Sequence, residues 1–248
     1  MQSLETLPLL LKQLNLPTFQ AQWEDKEQES IRKKWRYADY LRVLCGEEVA
    51  ARYQKRVQRY IKESKLPVGK TLSSFDFKSA PTVNAAQIAA LSDTPDWVNS
   101  AENIIFFGPS GVGKTHLASA IGYRMIEHGH RVLFTSTTEL VQRLERAKSE
   151  YRLPEMLSKL GRVPLLILDD IGYVKKNQQE TSVLFELIAH RYENTSLIIT
   201  SNQPFSEWSS IFPDDMMAVA AIDRIVHHSN IIKIEEDSWR KKQAKKTK

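Results

Sequence analysis

The sequence predicts an α/β protein, with a parallel sheet flanked by helices and a small all-helical domain in front of it. Five short apolar runs have the length and composition of buried strands, at 103–107, 131–135, 165–169, 197–201 and 231–234. Helical patterns lie between these runs, at roughly 114–128, 138–151, 178–193 and 215–226. Strands that alternate with helices are typical of a parallel sheet covered on both faces.

The first 65 residues contain no strand pattern and predict four helices. Leucines recur at helical spacing from Leu4 to Leu14, and Asn15-Leu16-Pro17 interrupts this first pattern. The other three helices are expected at 19–34, at 35–45 with Gly46 as its end, and at 47–65. The predicted domains are therefore a helical domain at 1–65, a linker at 66–77, a core at 78–238 and a basic tail at 239–248.

Composition excludes several classes of protein. The chain has 248 residues, of which 42% are hydrophobic, so it can bury a core. Its only cysteine, Cys45, cannot form an internal disulfide, and no apolar run approaches the ~20 residues that a membrane helix needs. We therefore expect a cytoplasmic protein without membrane contact. The His227-His228 pair and His116 are expected to take no part in metal binding or catalysis.

The net charge of +5 is distributed unevenly along the chain. Residues 1–65 carry +4 and residues 239–248 carry +6, whereas the stretch 66–238 carries −5. Basic ends around an acidic middle favour a polyanionic partner, although solvated basic faces would give the same pattern.

One loop carries the strongest chemical signal. The sequence G-x-x-x-x-G-K-[ST] is matched in full by Gly108, Pro109, Ser110, Gly111, Val112, Gly113, Lys114 and Thr115. The loop follows a predicted strand and opens a predicted helix, which is the context of an ATP phosphate-binding loop. Lys114 is expected at the β- and γ-phosphates, and the Thr115 hydroxyl is expected to bind Mg²⁺. A plain glycine turn between strand and helix is the structural alternative.

Polar residues follow two other predicted strands. Asp169 and Asp170 end the run at 165–169, where Asp169 would hold Mg²⁺ through water and Asp170 would polarise the attacking water. The pair could instead cap a helix. Asn202 follows the run at 197–201 and is placed to touch the γ-phosphate or the water, although an asparagine there could simply form a turn.

Arg224 lies on the last predicted helix. It could be a surface arginine paired with Asp223, or an arginine finger that reaches the nucleotide of a neighbouring subunit.

These residues together resemble the AAA+ ATPases, and among them the IstB-like ATP-binding family of insertion-sequence helper proteins, which is related to the DnaC/DnaI helicase loaders. The resemblance covers nearly the whole chain. It rests on the helical segments YADYL and EVAAR, on KTLSSFDF, and on GPSGVGKTHLASAIG, LLILDDIG and LIITSNQPFSEW in that order.

The resemblance implies roles and an assembly. Asn202 would be sensor 1, on a strand between the loop strand and the Asp169 strand, and Arg224 would be the arginine finger of a homo-oligomer. Asp170 stands where most AAA+ proteins have glutamate, which leaves the hydrolysis rate open. About 24 residues follow Arg224, too few for the usual helical lid, so Arg240 is a possible substitute for a sensor 2 arginine.

DNA contacts are expected from basic residues, because sequence-independent binding needs cations placed on phosphates. The candidates are Arg52, Lys55, Arg56, Arg59, Lys148, Arg152, Lys175 and Lys176, together with the tail.

The predicted function is an ATPase that binds double-stranded DNA as an oligomer and recruits or activates a transposase, with hydrolysis stimulated by DNA or assembly. The alternatives are a replicative helicase loader, a small-molecule kinase and an ATP-binding switch without hydrolysis.

Overall fold

The helices and strands of the chain follow the predicted alternation. A computed structural model describes residues 6–172, 178–204, 207–208 and 215–236. The described helices are α1 (Leu7–Gln13), α2 (Pro17–Lys33), α3 (Tyr37–Ser64), α4 (Ala85–Asp93), α5 (Asp96–Asn99), α6 (Lys114–Glu127), α7 (Thr137–Ser149), α8 (Leu153–Gly161), α9 (Gln178–Arg191) and α10 (Asp215–Val226). The described strands are β1 (Asn103–Phe107), β2 (Val132–Ser136), β3 (Leu165–Asp169), β4 (Ser196–Ser201) and β5 (Ser229–Lys233).

The five strands form one parallel sheet in the order β2-β3-β4-β1-β5. The predicted fold class is confirmed, as is the expected position of β4 between β1 and β3. Because all strands run the same way, their carboxyl ends share one edge. The loop at 108–115, the Asp169-Asp170 pair and Asn202 follow β1, β3 and β4 and therefore meet at that edge.

The core of the sheet is apolar on both faces, as parallel strands require. Ile105 and Ile199 belong to a buried cluster that also takes in side chains of α7, α8, α9 and α10. The other face packs against α6, where a Cβ added to Gly122 would lie 2.9 Å from Cδ1 of Ile167. The sheet is thus held between two helical layers.

The chain divides into two compact units, Met1–Arg59 and Tyr60–Lys248. In the first unit, Leu11, Phe19 and Leu44 form the buried centre of α1, α2 and α3. The break at residues 15–17 is confirmed, but the expected helix end at Gly46 is wrong, since α3 runs through it without interruption. An interior glycine costs a helix only about 1 kcal/mol, and strong helix formers on both sides outweigh that cost.

In the second unit, the segment predicted as a linker packs against α6. Leu66 contacts the helix at Gly122, and the Tyr123 hydroxyl donates to the Pro67 carbonyl over 3.3 Å. The predicted four-part division of the chain stays a prediction. The helices α4, α5 and α8 were not expected from the sequence. No helix among the described residues is long and apolar enough to cross a membrane.

A buried arginine joins elements at the amino edge of the sheet. Arg191 is 1% exposed, and its guanidinium donates to the carbonyls of Leu160 (2.9 Å), Val163 (3.1 Å), Pro164 (3.4 Å) and Ser196 (2.8 Å). Burial lowers the pKa of Arg191 to about 9, so the guanidinium stays charged at neutral pH and donates to these carbonyls as a cation.

We expect Arg191→Met to lower the free energy of unfolding by about 3–5 kcal/mol, because several buried carbonyls lose a charged donor. Urea unfolding followed by circular dichroism measures the change. The control is Arg162→Met, which replaces an exposed arginine near the end of α8. If both variants lost the same stability, the role assigned to Arg191 would be wrong.

Candidate nucleotide site

The loop between β1 and α6 has a backbone that requires glycine at two points. Gly113 has φ +102°, and a Cβ there would lie 2.7 Å from Cε2 of Phe75. Gly108 has φ +149°, and a Cβ there would lie 2.2 Å from the Ile234 carbonyl oxygen. Both glycines allow other segments to approach the loop closely.

Lys114 is buried at the start of α6, with 5% of its surface exposed. Its Nζ donates to the carbonyls of Gly108 (2.7 Å) and Pro109 (2.8 Å), so the ammonium lies across the loop. The helix N-terminus adds partial positive charge at the same place. The loop therefore presents a cation and backbone N–H groups to an anion such as a phosphate.

The carboxylate of Asp169, at the end of β3, joins α6 and β4 at the sheet edge. Its Oδ1 accepts from the hydroxyls of Thr115 (2.8 Å) and Thr200 (2.7 Å). The Asp170 N–H donates to the same Thr200 hydroxyl over 2.9 Å, and Asp170 has φ +56°. This network fixes both acidic residues next to the loop.

The donor set fits Mg²⁺. A hydroxyl and a carboxylate oxygen already lie within 2.8 Å of each other at Thr115 and Asp169. Mg²⁺ prefers such oxygen ligands and keeps several waters. These two residues would hold the ion, beside the loop that would hold the phosphates.

A cleft of ≈ 530 Å³ opens over the loop. Its wall includes Lys70, Phe75, Asp76, Asp170 and Glu236 besides the loop residues. This volume is in the range of small-molecule sites. The cleft thus continues from the phosphate-binding end to a second end that is built by the segment 70–80 and the chain after β5.

The segment 70–80 is held against α6 by its own contacts. The His116 ring nitrogen Nε2 lies 2.9 Å from the Thr71 carbonyl and 3.2 Å from the Ser74 hydroxyl. The Phe75 ring packs edge-on against the His116 ring, with centroids 5.2 Å apart. His116 therefore anchors this wall of the cleft, a structural role that the sequence did not suggest.

Asp76 keeps a negative charge on that wall. The Ser79 hydroxyl donates to its carboxylate over 2.6 Å and lowers the pKa of the carboxyl below its ordinary value. The backbone N–H of Lys78 adds a second hydrogen bond.

Asn202 and Arg224 are placed differently with respect to the cleft. Asn202 is exposed at the carboxyl edge, and its Oδ1 lies 3.3 Å from the Cβ position of Gly172. Arg224 donates to the Ala220 carbonyl over 2.9 Å and stacks on the Phe185 ring at 5.2 Å. It therefore does not join the loop of its own chain. The roles of both residues remain predictions.

In the first unit, the basic residues that are predicted to contact DNA have different partners within the protein. Arg52 donates to Glu48 over 2.7 Å and also to the Asn15 carbonyl. Arg56 stacks on the Tyr53 ring at 5.5 Å, and Arg59 is exposed. Lys55 is exposed and has no ion pair among the described residues.

In the second unit, the candidate cations have acidic partners. Lys148 donates to Glu186 over 2.8 Å, and Arg152 lies 3.4 Å from Glu150 and 3.5 Å from Glu155. Phosphates would have to compete with these pairs. Lys175, Lys176, Arg240 and the basic tail lie outside the described residues.

Two residues of the site were not singled out from the sequence. Thr200 connects Asp169 and Asp170, and its signal in the sequence was a hydroxyl directly after the apolar residues 197–199. Glu236 lines the cleft, with Oε1 accepting from the Thr82 N–H over 3.1 Å. No spacing rule connects Glu236 to the loop.

The chain is similar to known insertion-sequence proteins. Residues 9–247 match the family described as IstB-like ATP binding protein. An insertion-sequence ATP-binding protein from Sinorhizobium fredii is 46% identical over 98% of this chain and 81% of its own length. The ATP-binding protein of insertion sequence IS21 from Pseudomonas aeruginosa is 37% identical over 97% of this chain and 90% of its own length.

Solved structures share the fold of more than two thirds of the chain. DnaI matches with a TM-score of 0.56 at 21% identity, over 69% of this chain and 95% of that one. The AMPPCP-bound DnaA from Aquifex aeolicus matches with a TM-score of 0.58 at 19% identity, over 74% of this chain and 56% of that one. These likenesses confirm the AAA+ core as a fold.

Proposed function

The chain belongs to the family of IstB-like ATP-binding proteins, and on that premise we propose that it is an AAA+ ATPase that assembles on double-stranded DNA and recruits or activates a transposase. The predicted family and the assignment as an ATPase agree with the comparisons. The assembly, the DNA and the transposase are the parts that we propose. The cytoplasmic location stays a prediction.

The observation that carries the proposal is that Lys114, Thr115 and Asp169 lie close together beside one cleft. Lys114 would bind the β- and γ-phosphates, and Thr115 and Asp169 would hold Mg²⁺. When bound, Mg²⁺ neutralises charge on the phosphate oxygens. Asp170 would orient the attacking water, held in place through its N–H bond to Thr200, and Asn202 would contact the γ-phosphate or that water.

The position of Arg224 supports a homo-oligomer. The carbonyl of the next residue, Ile225, accepts from Nδ2 of Asn103 over 3.0 Å, and Asn103 is the first residue of β1. The loop begins beyond the last residue of β1, about 13 Å further along the strand. Arg224 is therefore suited to the nucleotide of a second copy rather than to its own.

Contacts of the chain after β5 support a coupling between ATP and DNA. The Ile234 N–H donates to the Phe107 carbonyl over 2.7 Å, and Glu236 lines the cleft. The basic tail begins at residue 239, only three residues further on. Nucleotide binding in the cleft would therefore act close to the origin of the most strongly basic segment of the chain.

We expect ATP to tighten DNA binding and to steepen its dependence on salt. An ATP-bridged row of subunits adds phosphate contacts, and each contact changes the slope of log K against log salt by roughly −0.9. By linkage, duplex DNA should raise ATP affinity by the same factor. DNA binding is measured by fluorescence anisotropy at several salt concentrations, with ATP, with ADP and without nucleotide.

Equal affinities and equal slopes in the three states would contradict the proposed coupling. A tail variant in which Lys241, Lys242, Lys245 and Lys246 are changed to Gln serves as a control. It should bind DNA with a shallower slope and keep its ATP affinity in the absence of DNA, because its changes lie outside the loop.

A helicase loader is the second candidate, because the cores of DnaI and DnaC share this fold. The two functions differ in the partner protein. Binding of the purified chain to an insertion-sequence transposase, compared with binding to a replicative helicase, distinguishes them. The sequence relatives favour the transposase.

A further inference from the structure

Two turns at the amino edge of the sheet bring together three metal-ligating side chains. Glu193 lies in the turn between α9 and β4, and His227 and His228 lie in the turn between α10 and β5. One ligand atom from each of the three residues lies within 4.8 Å of the others. This edge is opposite the one that carries the nucleotide loop, so the group is separate from the proposed ATP site.

The backbone beneath this group is fixed by a buried asparagine. The backbone N–H of Asn103 donates to the His228 carbonyl over 2.7 Å, and its Nδ2 donates to the Ile225 carbonyl. Its Oδ1 accepts from the Leu197 N–H over 2.9 Å, at the start of β4. Asn103 thus ties the end of α10 to the beginning of β4, and the two turns keep their spacing without a metal.

Tyr192 orients one of the two histidines. Its hydroxyl oxygen lies 3.1 Å from Nδ1 of His227 and can accept the N–H of that ring nitrogen. In this tautomer, Nε2 of His227 keeps its lone pair. A supporting group that takes the other ring proton is characteristic of metal-binding histidines.

We propose that Glu193, His227 and His228 form a site for a late first-row dication, with Zn²⁺ as the ion to test. Two imidazoles and one carboxylate suit Zn²⁺, with water in the remaining position. Ligands of tetrahedral Zn²⁺ lie about 3.4 Å apart, and rotations of the three exposed side chains can close the present separation.

The site would connect the α9–β4 turn to the end of α10, three residues after Arg224. The histidine pair alone did not suggest a metal site in the sequence, because Glu193 and Tyr192 lie more than thirty residues earlier. The proposal does not depend on the activity proposed above.

The test measures Zn²⁺ binding to the full chain, prepared without an affinity tag, in excess Mg²⁺ and without nucleotide. Competition with a chromophoric chelator gives the affinity. We expect about one Zn²⁺ per chain at this site. His228→Gln and Glu193→Gln should each weaken binding more than 10-fold, and Tyr192→Phe, which keeps the ring, should weaken it roughly 10-fold. Co²⁺ bound to the unchanged chain should show the visible bands of a low-coordinate site, and His228→Gln should abolish them.

The matched control is His128→Gln/His130→Gln, which changes two histidines near the end of α6 and should keep the Zn²⁺ affinity. Thermal unfolding without metal verifies that each variant folds. The proposal is overturned if the His228→Gln variant binds Zn²⁺ as the unchanged chain does, if the control pair loses as much affinity, or if no Zn²⁺ binds.

Discussion

Lys114→Ala is expected to abolish ATP binding and to leave the fold intact. The ammonium is buried at the helix start and bonded to two loop carbonyls, so the variant loses a positioned cation at the phosphates. Losing one partner of a buried charge pair costs about 3–5 kcal/mol. The affinity should therefore fall by roughly 10²- to 10⁴-fold, which calorimetry with ATP in the presence of Mg²⁺ measures.

Asp170→Asn is the matched comparison for that variant. It keeps the loop, Thr115 and Asp169, so we expect normal binding of ATP with Mg²⁺ and loss of hydrolysis, because an amide is a poor base for the water. The circular dichroism spectra of both variants should equal that of the unchanged chain. ATP affinity retained by Lys114→Ala would refute the assignment of the loop.

The sheet could be predicted from the sequence because each strand is an apolar run between helical patterns. Four of the five residues of β3 are apolar, and all four are fully buried, as expected of a strand inside a parallel sheet. The helix α3 shows that a single glycine does not reliably predict a helix end, since the helix continues through Gly46. The position of β4 between β1 and β3 came from the family resemblance, because local patterns do not specify which strands become neighbours.

The phosphate end of the site was predictable for the same reason, since the loop is a continuous stretch of sequence. The remaining walls of the cleft come from distant segments. Phe75 meets the loop from 38 residues before Gly113, and Glu236 arrives from the end of β5. Hydrogen bonds such as that from Thr200 to Asp169 depend on the pairing of β3 with β4. Only the fold reveals such contacts.

Arg224→Ala is expected to lower DNA-stimulated ATP hydrolysis by on the order of 10³-fold or more, the range found for arginine fingers. The guanidinium donates to the Ala220 carbonyl and stacks on the Phe185 ring, and its helix ends at the amino edge of the sheet. We expect it to complete the site of a neighbouring chain, so its loss should affect turnover and spare ATP binding. Arg224→Lys should rescue little, because an ammonium lacks the planar fork of donors.

Mixed subunits distinguish an arginine that acts on a neighbour from one that acts within its own chain. Lys114→Ala subunits have an intact Arg224 and no working loop, whereas Arg224→Ala subunits have the reverse. A mixture should regain part of the ATPase rate, since some interfaces then combine an intact phosphate-binding loop with an intact Arg224. Arg162→Ala, an exposed arginine in the same unit, should leave the rate unchanged. If Arg224→Ala alone turns over normally with DNA, or if the mixture stays as inactive as its components, the arginine does not act between subunits.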